Sequence, residues 1–174
     1  MSQELLNEAA NHLVLGAIYL KGSQTFKEDN FSTSRKGQRI QHQSFRGLLH
    51  CDIQSKEKNN KQVFLYKYIF SVGVRLVDSG LEEGDKGFVL VSIEAEFETN
   101  YLSDKLLEEE CIEAFGKLNV GYHVWPYWRE YVQSTCARMG INPIVVPLYT
   151  DLQKKQKKGN YPKKSKESSR KASD

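Results

Sequence analysis

From Val63 to Asp78 the chain alternates without interruption, and no other feature narrows the fold as much. Successive side chains of a strand point to opposite faces. Phe64, Tyr66, Tyr68, Phe70, Val72, Val74 and Leu76 therefore share one face. Lys67, Ser71, Gly73 and Arg75 share the other with Val63, Leu65, Ile69 and Val77. One wholly apolar face beside one mixed face predicts a strand in an antiparallel sheet that is covered on one side.

Three further strands are predicted. Phe88 to Leu102 places Val89, Val91, Ile93, Ala95, Phe97 and Tyr101 inward, opposite Ser92, Glu94, Glu96, Glu98 and Asn100. A second strand turns Phe45, Gly47, Leu49, Cys51 and Ile53 inward, with Arg46, His50 and Asp52 outward. The first, about Leu13 to Phe26, is less regular. Lys56 to Asn60 and Ser79 to Lys86 read as turns, the latter through Gly80 and Gly84. The polar stretch Lys27 to Gln43 holds only Phe31 and Ile40 as large apolar residues. It is predicted to be flexible, and it is long enough to cross over rather than turn tightly.

The remainder has helical spacing. Ser103 is placed to cap a helix over Asp104 to Lys117, with Leu107, Cys111, Ile112 and Phe115 on one side and Gly116 at its end. Pro126 suits the first turn of a second helix, and Gly140 suits its left-handed stop after Met139. Trp125, Trp128, Val132, Cys136 and Met139 make its apolar stripe. Strands followed by helices predict an α+β fold: a four-stranded antiparallel sheet, a long connection after strand 1, and helices on one face.

Charge divides the chain in two. Nine Lys/Arg against three Asp/Glu give residues 151–174 a balance of +6, so a chain of net charge +3 has a body at −3. The reading is one domain over 1–150 and a basic tail over 151–174. That tail has too few large apolar residues to repay the entropy of ordering, and disorder is expected there. Met1 to Ala10 carries two glutamates and no basic residue, unlike a secretory signal. No apolar run reaches the roughly 18 residues of a membrane span. A cytoplasmic protein without membrane insertion is expected. Cys51, Cys111 and Cys136 are scattered, which speaks against a disulfide framework or zinc site. Cys51 and Cys136 are expected as small buried hydrophobes.

Catalytic signatures are missing from the sequence. There is no phosphate loop, nucleophile elbow or H-E-x-x-H pattern. His12, His42, His50 and His123 share no metal-like spacing. His50 and Asp52 fall on one strand face, where a solvated surface pair is expected. Glu94, Glu96 and Glu98 form a row about 7 Å apart from one to the next. On a wet face their pKa values stay ordinary, so the row reads as a solubilising face or as an acidic strip for a basic partner. Tyr122 to Tyr131 packs five Trp and Tyr rings into ten residues. One helix cannot hide Trp125, Tyr127, Trp128 and Tyr131 against one sheet, so some are expected to meet a partner.

At the helix start, Trp125-Pro126-Tyr127-Trp128-Arg129-Glu130 resembles the aromatic-Pro-Tyr-x-Arg-Glu opening of the long helix in the SecB family of export chaperones. Gly140 and Ile141-Asn142-Pro143-Ile144-Val145-Val146-Pro147 are similar to the apolar, Pro-containing loop that follows it. The resemblance spans roughly Leu13 to Leu148. It implies a non-enzymatic homo-oligomer, a dimer of dimers without cofactor or nucleotide, whose apolar grooves hold unfolded client polypeptides independently of ATP. It implies preproteins kept competent for translocation, with the motor SecA docked on an acidic sheet face. Under it, Phe31, Trp125, Tyr127, Trp128, Val145 and Val146 are expected to bind peptide. Glu94, Glu96 and Glu98 would dock the partner, while Pro126, Arg129 and Glu130 hold the helix start and subunit contact.

The basic tail and bulky Trp128 depart from the export chaperones. SecB-like proteins of toxin–antitoxin systems also carry bulky residues there, which makes an antitoxin an alternative client. Two other classes compete. A lysine-rich tail can bind nucleic acid, but Tyr161 is its lone aromatic and offers no stacking platform. A pocket between sheet and helices could take a small ligand or a substrate, with no nucleophile or metal site in the sequence to serve it.

Overall fold

The computed structural model describes residues 3–29, 31, 39–58 and 61–149. The tail expected over 151–174 and most of the centre of the expected flexible stretch lie outside the described residues. The elements run α1 (Gln3–His12), β1 (Val14–Lys27), β2 (Ile40–Lys58), β3 (Lys61–Asp78) and β4 (Val89–Ser103). A helical stretch follows, with α2 over Glu109–Phe115 and α3 over Gly121–Arg138. The fold is α+β, as the alternation predicts.

All three strand pairs are antiparallel, in the order β1-β4-β3-β2. β1 and β2 are consecutive in the chain yet occupy opposite edges, so the connection after β1 crosses the sheet. Phe31 of that connection belongs to the core. Tyr66, Tyr68, Phe70, Val72, Val74 and Leu76 of β3 pack with Val91, Ile93, Ala95, Phe97 and Tyr101 of β4 beneath the helices. β4 departs at its start, where a bulge at Leu76/Val77 pairs Val89 with Val77 and sends Leu90 into the core instead.

The helical part differs more. Ser103 caps a turn, not a helix: its hydroxyl accepts from the Lys105 amide at 3.1 Å and donates to the Lys105 carbonyl at 2.9 Å. The helix starts later, at Glu109. Neither Gly116 nor Pro126 marks a boundary. Gly116 is helical (φ −57°, ψ −45°) and opens a π-helical turn, Gly116–Val120, that joins α2 directly to α3. Gly116 is small for contact: a Cβ there would lie 2.6 Å from Leu48 Cδ2 and 3.0 Å from the Tyr68 ring. Pro126 sits inside α3, where it cannot donate to the Tyr122 carbonyl. Gly140 behaves as predicted, at φ +65° after the helix, with the Ile141 amide bonded back to the Cys136 carbonyl. α1 is an addition to the sequence reading and packs against α2. Leu5, Leu6, Ala9 and Leu13, at helical spacing, are its inward side chains.

Candidate functional site

β2 is an edge strand, and its alternation changes phase halfway. Ile53 pairs with Tyr66 and Cys51 with Tyr68, both on the helix side. A bulge between Leu48 and His50 then inserts Leu49, and Leu48 takes the place opposite Phe70. One extra residue flips every side chain beyond it. Arg46 therefore points to the helix side, and Phe45 and Gly47 to the outer face, the reverse of the sequence expectation. The Phe45 ring covers Gly73 there, in the space a side chain at Gly73 would take.

On the helix side this leaves an open groove of about 1040 Å³. Leu48, Leu49, Cys51 and Ile53 line it from β2, above Tyr68 and Phe70 of β3. Leu106, Leu107, Ile112 and Leu118 form the facing wall, with Glu109 and Glu113 among them. Drug-sized ligand pockets run to roughly 1,000 Å³ and enclose their ligand. This one is equally large but open to solvent, which suits a stretch of chain. Leu49 is 54% exposed, and Ile53, Leu106 and Leu118 are also exposed.

The groove has one closed end. Tyr149 is buried there beside Trp125 (ring centroids 5.2 Å apart), and its hydroxyl lies against Gly121. The Arg46 guanidinium lies 5.0 Å from the Tyr149 ring and 5.7 Å from the Trp125 ring. Trp125 Nε1 donates to the Pro147 carbonyl at 2.7 Å, fastening residues 141–149 to α3.

Two titratable groups on the groove floor, Cys51 and Tyr68, are held neutral by burial. Burial pushes the Cys51 thiol up to about 12, so it is a protonated, weakly polar surface at neutral pH. Tyr68, also raised by burial, donates its hydroxyl to the Ile112 carbonyl at 3.1 Å. Among the described residues, no group of three His, Cys, Asp or Glu could hold a metal ion. His50 and Asp52 form an exposed pair at 3.6 Å. No described helix is long and apolar enough to cross a membrane.

None of the six residues expected to bind peptide lines this groove. Trp128 is 2% and Trp125 6% exposed; both are core. Phe31 is 9% exposed and holds the crossing connection to the sheet. Tyr127 is half exposed, Val145 is 79% exposed, and Val146 is partly buried against the core. Pro126, Arg129 and Glu130 are exposed on α3. Glu94, Glu96 and Glu98 lie in a row on the face away from the helices, partly buried, opposite Gly73, Ser71 and Ile69. Leu49, Cys51, Ile53, Leu107 and Ile112 are legible in the sequence as inward residues, but nothing there marks them as one site. The one available signal of the bulge was the Leu48-Leu49 doublet, which supplies an apolar residue in both phases.

No protein-family model matches the chain, and no curated protein matches its sequence. Among solved structures, the fold is similar to that of a SecB-like chaperone. That structure is Mycobacterium tuberculosis Rv1957 in complex with a ChAD peptide from the Rv1956 HigA1 antitoxin. The TM-score is 0.60 at 15% sequence identity, covering 84% of this chain and 96% of that one. At that identity the likeness establishes a SecB-like fold.

Proposed function

We propose that this chain is a SecB-like holdase, a non-enzymatic chaperone that binds extended, non-native polypeptide without ATP. The groove between β2 and the α2 side carries this reading: long, apolar, open, and bordered by a strand edge with no partner among the described residues. Backbone groups at such an edge can pair with an extended chain, while alternate side chains of that chain settle on the apolar floor. Binding the unfolded form withdraws it from aggregation by mass action. In this reading the chain acts in the cytoplasm as a homo-oligomer, a dimer of dimers.

Two clients fit. The antitoxin peptide in the similar structure favours a dedicated antitoxin client. The Glu94, Glu96 and Glu98 row favours export, as a docking strip for a basic surface of a motor such as SecA. Light scattering from several unrelated aggregating proteins, with the chaperone in excess and ATP omitted, tests both. Suppression of most of them supports a general holdase. Suppression of a cognate antitoxin alone supports the dedicated one. No suppression of either kind sinks the proposal.

A further inference from the structure

We infer that the groove's resident occupant is the chain's own basic segment, residues 150–158, which covers the apolar floor until a client displaces it. The consequence for clients rests on the function proposed above; the docking itself does not.

Place is the first reason. Tyr149 lines the groove and is fixed at its closed end by Trp125, Gly121 and Arg46. The segment that follows is therefore tethered beside the groove. Length is the second. β2 from Arg46 to Ile53 rises about 23 Å at roughly 3.3 Å per residue. Seven or eight extended residues after Tyr149 span the same distance. Charge is the third. The wall opposite β2 carries Glu109 and Glu113, with Glu108 and Glu110 beside them. Among the described residues, Lys117 pairs with Glu113 at 2.5 Å and Lys105 interacts with Glu108. Residues 150–158 bring Lys154, Lys155, Lys157 and Lys158, preceded by one large apolar residue, Leu152.

A tether makes weak contacts sufficient. A short linker gives an effective concentration in the millimolar range. A segment with a millimolar affinity of its own then covers the groove about half of the time. The apparent client affinity falls by the fraction of grooves left open. Pairing of exposed charges is screened by salt, so cover should loosen as ionic strength rises.

The test compares the full chain with a full-length variant carrying Leu152→Ser and Lys→Glu at 154, 155, 157 and 158. Methyl NMR follows Leu48, Leu49, Ile53, Leu106, Ile112 and Leu118 in the groove, with Ile69 and Val132 as remote controls. Reduced, carboxymethylated α-lactalbumin is the client probe. The inference expects shifts confined to the groove methyls, diminished in high salt, and a client affinity about two- to ten-fold higher in the variant. Groove shifts with no client binding in either protein would uphold the docking and defeat the holdase reading instead. Unchanged groove methyls would overturn the inference. So would changes confined to Ile69 on the acidic face, or groove shifts that depend on protein concentration, which mark a second copy as the occupant.

Discussion

β4 and β2 flank the same central strand and differ in how completely they are covered. From Val91 to Tyr101 every inward side chain of β4 is buried beneath the helices. On β2 the inward positions are interrupted by a bulge, and Leu49 and Ile53 remain exposed beside a helical wall that stands away from them. Covered apolar area stabilises the fold. Open apolar area costs solubility and is retained where something else binds it. Substitutions under the helix should therefore affect stability, and substitutions along the groove should affect binding.

The largest effect is expected at Trp128. Its ring is fully buried and stacks on Tyr131 at 6.2 Å. Trp128→Ala should cost about 3–5 kcal/mol, read as a lower urea midpoint or loss of the folded state. A mild effect would mean that this aromatic is not core. Gly116→Ala comes next. Its new Cβ meets Leu48 and the buried Tyr68 ring. Crowding of about 1–3 kcal/mol is offset by roughly 1 kcal/mol of helix propensity. A small net destabilisation is expected, with a changed client affinity because Leu48 is displaced. A simple gain in stability would show the helix free to lift from the sheet.

Arg46→Ala removes a cation from two aromatic faces, worth about 0.5–1 kcal/mol each at exposed sites. Looser attachment of residues 141–149, seen as faster proteolysis after Arg138, is the expected outcome. The smallest effect is one of pH. Tyr101 is held protonated by burial, and its hydroxyl shares a hydrogen bond with His123 Nδ1 at 2.8 Å. Burial lowers the His123 pKa below its ordinary 6.5. The unfolded chain then binds the proton more readily than the folded one. Stability is full above about pH 6.5 and falls as the pH drops through the window below it. Denaturation midpoints across that window should fall with pH in the wild type and be flatter in His123→Gln.

The sequence was most legible where a strand keeps one phase. β3 and most of β4 could be assigned to faces residue by residue, because their inward positions are apolar with the exception of Thr99. β2 misled because one phase, Phe45, Gly47, Leu49, Cys51 and Ile53, is free of charge throughout, and alternation alone does not reveal that Leu49 is inserted and that Leu48 and Arg46 take the inward places. Gly116 and Pro126 were read as punctuation. At Gly116 the small side chain serves close approach to Leu48 and Tyr68, a tertiary demand that helix propensity does not contain. The same limit applies to Trp125 and Trp128. Helical spacing placed them on one stripe, but whether a stripe meets a sheet or a client depends on what the rest of the chain puts beneath it. The carboxylate row was legible because it alternates with buried residues throughout.

Photo-crosslinking from single positions tests the central claim most directly. A benzophenone amino acid would be placed at Leu49 in the groove, at Val145 on the exposed loop, and at Glu96 on the outer face, each in a protein with the wild-type melting midpoint. Each would be irradiated with a non-native client. The groove account predicts strong adducts from position 49, weakened by Leu118→Asp on the facing wall, and little from 145 or 96. Adducts from 145 or 96 with none from 49 would contradict it, and would place the client on a surface other than the one that the bulge in β2 leaves open.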